Sequence, residues 1–297
     1  MTTDEVWKLP AIVNRFLSYR SAIPLAQEQI GVMMTMLKTS AQPIEKFLDL
    51  GCGDGILGAA ILGAYPSAHG VLADFSEPML AQAREGLKEY AGQLAFENLD
   101  YGDKAWVHRM QPQGPFDAIV SGYSIHHQPD VRKPEIYAEI FSLLKPGGWF
   151  INIEHVSSAA ELNIDLFERH YASARYAIEK QNGGTRTLEQ VTEEYRTRPD
   201  KAANILAPVE LQCDWLRAIG YADVDCYMRI YELAVFGGRK PKNNMSLRGA
   251  NVSERRSNLL VKLGIASGFR RCRVSTLAKT YIKGNQLWLN SQHLPPA

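Results

Sequence analysis

The sequence predicts an α/β protein. The expected architecture is a doubly wound, mostly parallel seven-stranded sheet with an antiparallel edge strand, preceded by N-terminal helices and carrying a helical lid insertion. Three observations predict it. Apolar Phe47-Leu48-Asp49-Leu50 runs into Gly51-Cys52-Gly53-Asp54-Gly55, and a helix pattern begins at Ile56. A second apolar run, Gly70-Val71-Leu72-Ala73, ends at Asp74, 19 residues beyond Gly55. Apolar strands then alternate with helical patterns up to Glu154, the rhythm of a parallel sheet with crossover helices.

Residues 11–37 carry Ile12, Phe16 and Leu17, then Ile30, Met33, Met34 and Leu37, at helical spacing. Ser21-Ala22-Ile23-Pro24 divides them, because a residue before proline is biased away from helix. Two helices are expected there, forming a cap over residues 1–43. The glycine turn leads to a helix at 56–63, a second strand at 69–73 and a helix at 77–90, with Pro78 in the first turn where its missing N–H costs nothing. A third strand at 94–98 ends at Leu99-Asp100-Tyr101. The fourth, at 116–121, is apolar throughout, as a central parallel strand should be. Its carboxyl end opens into Ser121-Gly122-Tyr123-Ser124-Ile125-His126-His127, at the edge where open α/β sheets bind ligands. A helix at 134–144, a turn at 145–148 and a fifth strand at 149–154 follow.

Residues 157–207 break the rhythm with helical patterns and the turn Asn182-Gly183-Gly184, and are placed as an insertion above the carboxyl edge. A helix at 209–219 returns to the sheet. Residues 221–230 and 231–236 read as an antiparallel hairpin at the sheet edge. The main domain is therefore set at 44–238, and 239–297 as a basic extension.

Composition limits the function classes. The chain has 297 residues, 45% hydrophobic and 22% charged, enough for a substantial core. No run of about 18 apolar residues appears, so no membrane span is expected. The opening residues hold no apolar signal core, and the four cysteines form no C-x-x-C pair. A reducing, cytoplasmic setting without zinc or disulfides is expected. The net charge of +1 hides an asymmetry: residues 239–297 carry 12 Lys and Arg against one acid, Glu254. Such a tail usually reads as a solvated or disordered extension, although its arginines suit nucleic acid.

A glycine turn at a helix N-terminus brings backbone N–H groups against a ligand, and an acid ending the next strand suits the two hydroxyls of a ribose. Asp49 and Asp54 flank the turn. They would repel a pyrophosphate and suit a cationic ligand. Leu48-Asp49-Leu50-Gly51-Cys52-Gly53-Asp54-Gly55 and Asp74-Phe75-Ser76-Glu77-Pro78-Met79-Leu80 resemble the first two motifs of the class I S-adenosylmethionine-dependent methyltransferases. The resemblance covers roughly residues 44–238. It implies S-adenosylmethionine as cofactor, with S-adenosylhomocysteine as product.

It also implies cofactor positions: Gly51, Cys52, Gly53 and Gly55 under the methionine half, Asp49 facing its ammonium, and Asp74 on the ribose. Phe75 and Met79 would pack on the adenine, Asp100 and Tyr101 would read its edge, and Ser121 and Gly122 would line the floor. Leading helices in the family close over the cofactor, which would bring Tyr19 and Arg20 near the site. Tyr123 and Glu154 are further candidates to meet the substrate.

An oxygen or nitrogen acceptor that must lose a proton suits imidazole at neutral pH. His127, His126 and His155 are the candidate bases, His127 first. No N-P-P-Y motif or catalytic cysteine pair is present, so the expected acceptor is a small molecule. Methylation of RNA or protein with the basic tail as anchor is the alternative. A nicotinamide-dependent oxidoreductase and a silent ligand-binding module come after it.

Overall fold

In the computed structural model, which describes residues 3–40 and 42–242, two helices precede the sheet. α1 (Pro10–Tyr19) begins with proline, and α2 (Ala26–Lys38) starts after a 3₁₀ turn at Arg20–Ala22 and an extended Ile23. The break falls at the predicted proline for the predicted reason. β1 (Lys46–Leu50) then enters the centre of the molecule, with Phe47, Leu48 and Leu50 fully buried. Gly51, Gly53 and Gly55 turn the chain with φ of 69°, 54° and 82°, a region that favours glycine, and α3 (Ile56–Ala64) starts at once.

β2 (His69–Asp74) leads to α4 (Glu77–Gly86). There the Ser76 hydroxyl caps the Met79 N–H at 3.4 Å and Pro78 sits in the first turn. α4 ends short of the expected residue 90, and a separate 3₁₀ turn covers Lys88–Tyr90. β3 (Leu94–Asn98) is followed by a short helix, α5 (Trp106–Met110), which periodicity did not predict because five residues hold too little of a repeat. β4 (Phe116–Gly122), α6 (Lys133–Leu143) and β5 (Leu144–His155) complete the parallel part. β5 begins earlier than expected, since Leu144 already pairs with Phe116 ahead of a register shift.

The lid consists of α7 (Glu161–Gln181), α8 (Leu188–Thr197) and a 3₁₀ turn at Pro199–Ala203. α8 starts at a capping box between Thr187 and Gln190. The return from the lid is stitched to the loop after β4: Ile205 N–H donates to the His126 carbonyl at 2.9 Å. Lys133, wholly buried, pairs with Asp130 at 2.6 Å and donates to the Ile205 carbonyl. α9 (Val209–Ile219) ends at Gly220 with φ of 113°, and β6 (Ala222–Ile230) and β7 (Leu233–Arg239) form the hairpin.

The sheet order is β3-β2-β1-β4-β5-β7-β6, with β7 antiparallel to both neighbours. The order reverses between β1 and β4, which opens a crevice at their carboxyl ends. One face buries Met33, Leu37, Ile61 and Leu80 of α2, α3 and α4 with Phe47, Leu72 and Ile151. On the other, Tyr137 of α6 meets Phe150, Trp215 and Phe236. Burial of both faces explains why the central strands read as unbroken apolar runs.

β7 runs to Arg239, and Lys240 Nζ donates to the carbonyls of Phe141 at 2.9 Å and Leu144 at 2.8 Å. The sheet thus reaches past residue 238. The helix expected at 258–265 and the apolar cluster at 287–289 lie outside the described residues. Among those residues no helix is long and apolar enough to cross a membrane.

Candidate active site

A cavity of about 220 Å³ lies over the carboxyl ends of β1, β2, β4 and β5, partly roofed by α1 and the lid. Its floor is the glycine turn. A side chain at Gly51 would collide with Ser124 Oγ, 1.9 Å from an ideal Cβ, whereas a Cβ at Gly53 would meet nothing within 4 Å. Gly51 therefore lets the turn pack on the loop after β4, and Gly53 leaves room on the cavity side. Gly55 serves the fold: its φ of 82° starts α3, and a side chain there would strike Leu87 and Leu72.

Asp49 and Asp74 face the cavity from adjacent parallel strands. Asp49 Oδ2 accepts the Gly58 N–H at 3.0 Å, while Oδ1 is buried with no hydrogen-bond partner. Burial pushes this carboxyl up to about 8, opposed by the Gly58 N–H and reinforced by the neighbouring charge of Asp74. Asp74 accepts N–H groups from Gly53 at 2.9 Å and Ser76 at 2.8 Å, one on each oxygen. Burial raises it to about 6, with those two bonds resisting. A carboxylate has about four acceptor positions, so each Asp74 oxygen keeps capacity for a further donor. Phe75 and Met79 line the same end of the cavity, and so do Cys52 and Gly122.

The cap closes over this end. Arg20 forms an ion pair with Asp54 of the glycine turn, which ties the α1–α2 connection to the floor. Ser76, besides capping α4, donates its hydroxyl to the Trp7 carbonyl at 2.5 Å. Tyr19 and Arg20 line the cavity as expected from their place in the chain. Tyr123 holds φ of 51° at the end of β4, and its hydroxyl donates to Gln29 of α2.

Five expected site residues lie elsewhere than on the cavity wall. Gly55 is the helix start already described. Asp100 turns its carboxylate onto the Gly102 N–H at 2.7 Å, closing its own turn. Tyr101 is buried with its hydroxyl 2.5 Å from Ser124 Oγ. Ser121 donates its hydroxyl to the Leu50 carbonyl at 2.7 Å, bracing β4 against β1. Glu154 lies below the wall. It accepts His126 Nδ1 at 2.5 Å, the His126 N–H at 3.0 Å and the His155 N–H at 2.9 Å.

The three histidines come together. His126 and His127 lie with ring centroids 4.0 Å apart and planes tilted by 54°, and His126 meets His155 at 5.9 Å. Burial pulls His126 well below the ordinary imidazole range and pushes Glu154 up to about 6. At neutral pH the pair is thus a neutral imidazole donating to a carboxylate. His127 is half-buried, and its Nδ1 lies 3.0 Å from the Ala203 carbonyl. A carbonyl only accepts, so Nδ1 carries a proton in this contact. His155 rests on Phe167 of α7 at 5.0 Å, with Nε2 3.5 Å from Glu232.

The lid contributes residues that sequence reasoning did not select. Phe167, Tyr171 and Arg175 line the cavity from one face of α7, four residues apart. Tyr195, Arg198 and Asp200 reach it from α8 and the turn beyond, and Arg15 and Phe16 from α1. The spacing of 167, 171 and 175 was readable as a shared helix face, but which face looked inward was not.

The fold, the glycine turn and the acids ending β1 and β2 define a Rossmann-like methyltransferase. Comparison with known proteins agrees. A methyltransferase domain family matches residues 47–148. The ubiquinone biosynthesis O-methyltransferase of Thiobacillus denitrificans is 35% identical over 105 residues, 35% of this chain and 42% of that protein. The demethylmenaquinone methyltransferase of Clavibacter sepedonicus is 30% identical over 186 residues, 61% of this chain and 67% of that protein. An O-methyltransferase family protein from Burkholderia thailandensis shares the fold, with a TM-score of 0.50 at 16% identity over 72% of this chain and 57% of that one. The chain thus spans less than half of the Thiobacillus relative and a little over half of the Burkholderia structure. It belongs to the class I S-adenosylmethionine-dependent methyltransferases.

Proposed function

We propose that this enzyme transfers a methyl group from S-adenosylmethionine to an oxygen or nitrogen of a small molecule held under the lid. The observation that carries the reading is the cavity itself. An acidic floor at Asp49 and Asp74 faces a histidine cluster, and helices close over both. The fit to the cofactor rests on this chain's own atoms. The buried, unpartnered Asp49 Oδ1 suits an ammonium. Gly53 leaves open space over the turn, and Asp74 has acceptor positions for two ribose hydroxyls. When bound, the cofactor supplies an activated methyl group on a sulfonium.

Phe75 and Met79 would flank the adenine, and Gly51, Cys52 and Gly122 would lie along the methionine half. Asp100 would meet the adenine amine with the carboxylate oxygen left over from Gly102, the Tyr101 backbone N–H would reach a ring nitrogen, and Ser121 acts as a support. His127 is the general base, taking the acceptor's proton as the new bond to carbon forms. Glu154 and His126 are positioning residues, which hold the loop carrying His127 in place. Walls from α1 and the lid exclude water and keep the acceptor in line, and that orientation is the main source of rate in such a displacement.

Lid closure favours small acceptors over a nucleic acid or protein. The matches are to methyltransferases, which removes the oxidoreductase alternative. The test is transfer from methyl-labelled S-adenosylmethionine into a fractionated cell extract. Label is expected in the small-molecule fraction. Label confined to RNA or protein would overturn the acceptor class.

A further inference from the structure

The cavity is electrically polar along its length. Its floor carries Asp49, Asp54 and Asp74, while the lid end carries Arg15, Arg175 and Arg198. These three guanidiniums share two carboxylates. Arg15 pairs with Asp200 and lies 3.5 Å from Glu194, Arg175 donates to Glu194 at 2.7 Å, and Arg198 to Asp200 at 3.1 Å. Nearby Arg186 is matched by Glu179, and Arg20 by Asp54. Arg186 also lies 3.8 Å from Glu194, so in this cluster Arg15, Arg175, Arg186 and Arg198 share Glu179, Glu194 and Asp200, one carboxylate fewer than the guanidiniums.

Arg175 is where that excess bears on the cavity. The residue is 4% exposed, yet its Nε–H is buried with no hydrogen-bond partner. An unmet donor on a buried cation is costly, so it points to a group that arrives from outside. The Arg175 guanidinium lies over the Tyr19 ring at 4.1 Å and the Tyr195 ring at 5.5 Å, and Arg198 lies over Tyr195 at 4.1 Å, so both forks rest on aromatic faces. A fixed planar fork matches a planar carboxylate better than a point charge would. Phe16, Phe167 and Tyr171 supply an apolar wall between this end and the histidines.

We propose that the methyl acceptor is a flat, mostly apolar molecule bearing one carboxylate, gripped by Arg175 and Arg198 while its hydroxyl or amine faces His127. The inference rests on the methyltransferase reading of the cavity. A single excess positive charge selects a monoanion over a phosphate, which brings close to two negative charges at neutral pH.

Calorimetric titrations of the full chain test this, with and without saturating S-adenosylhomocysteine. The probes are 4-hydroxyphenylacetate and 6-hydroxy-2-naphthoate, each against its amide, plus 4-hydroxyphenyl phosphate. At least one acid should bind about tenfold more tightly than its amide and than the phosphate. Arg198→Gln should remove that preference, with S-adenosylhomocysteine affinity unchanged, and Arg198→Lys should restore it only in part. Arg175→Gln should act likewise. If that variant fails to fold, Arg198→Gln decides alone. Equal binding of acid and amide, no binding of either, or stronger binding of the phosphate would overturn the proposal. Absence of S-adenosylhomocysteine binding would instead count against the methyltransferase reading, and the ligand-free titrations would still decide the anion preference.

Discussion

Asp49 and Asp74 show how one side chain can serve both fold and ligand. Each spends an oxygen on a backbone N–H near a turn, Asp49 on Gly58 and Asp74 on Gly53, and so shapes the floor that the ligand would use. The pH dependence follows from their raised values. Asp49 sits near 8 in the folded chain against 3.8 when unfolded, so the folded state holds a proton across that window. Stability contributed by the protonated form is present at low pH and falls as pH rises from about 4 towards 8. An ammonium placed beside Asp49 favours the ionised form. S-adenosylhomocysteine affinity should therefore weaken as pH falls from 8 to 6, by up to about tenfold per unit, with proton release on binding. Asp49→Asn should flatten that dependence. Calorimetry in buffers of different ionisation enthalpy reads both effects, and pH-independent binding by the unaltered chain would contradict the assignment. For His127, replacement by alanine should lower kcat by about 10²- to 10⁴-fold, the usual range for a general base. S-adenosylhomocysteine affinity should stay unchanged, and an unaltered kcat would remove His127 from the chemistry.

At the scale of elements, the glycine turn, the seven strands and the lid were legible because each depends on local pattern. Apolar runs mark strands buried on two faces, and the proline at 24 marks the break between α1 and α2. Less legible was anything decided across the fold. The end of β3 placed Tyr101, but the bond of its hydroxyl to Ser124 on another loop could not be read from local pattern. The lid arginines were invisible for the same reason: α7 shows its period, not the partner it faces. The lid should also be separable energetically. Thr187 begins α8 by accepting the Gln190 N–H at 3.3 Å, and such a cap contributes about 1 kcal/mol. Thr187→Ala should speed hydrogen exchange across α8 and leave the amides of β1 and β4 as protected as before. Faster exchange in the sheet would mean that lid and sheet unfold as one unit.

At the scale of the whole molecule, strand order and charge explain each other. The switch between β1 and β4 brings the ends of four strands to one crevice. Asp49 and Asp74, near the ends of β1 and β2, meet there the histidines that follow β4 and end β5. The chain then returns through a lid whose basic residues oppose the acidic floor. A cationic methyl donor and an anionic acceptor would each find the end that suits its charge. The most direct test is calorimetric titration of the full chain with S-adenosylhomocysteine, alongside NADH and the Asp74→Ala variant. One ligand per chain should bind, NADH should give no heat, and Asp74→Ala should weaken binding at least tenfold. No binding of S-adenosylhomocysteine at saturating concentration, or preference for NADH, would contradict the assignment of the cavity.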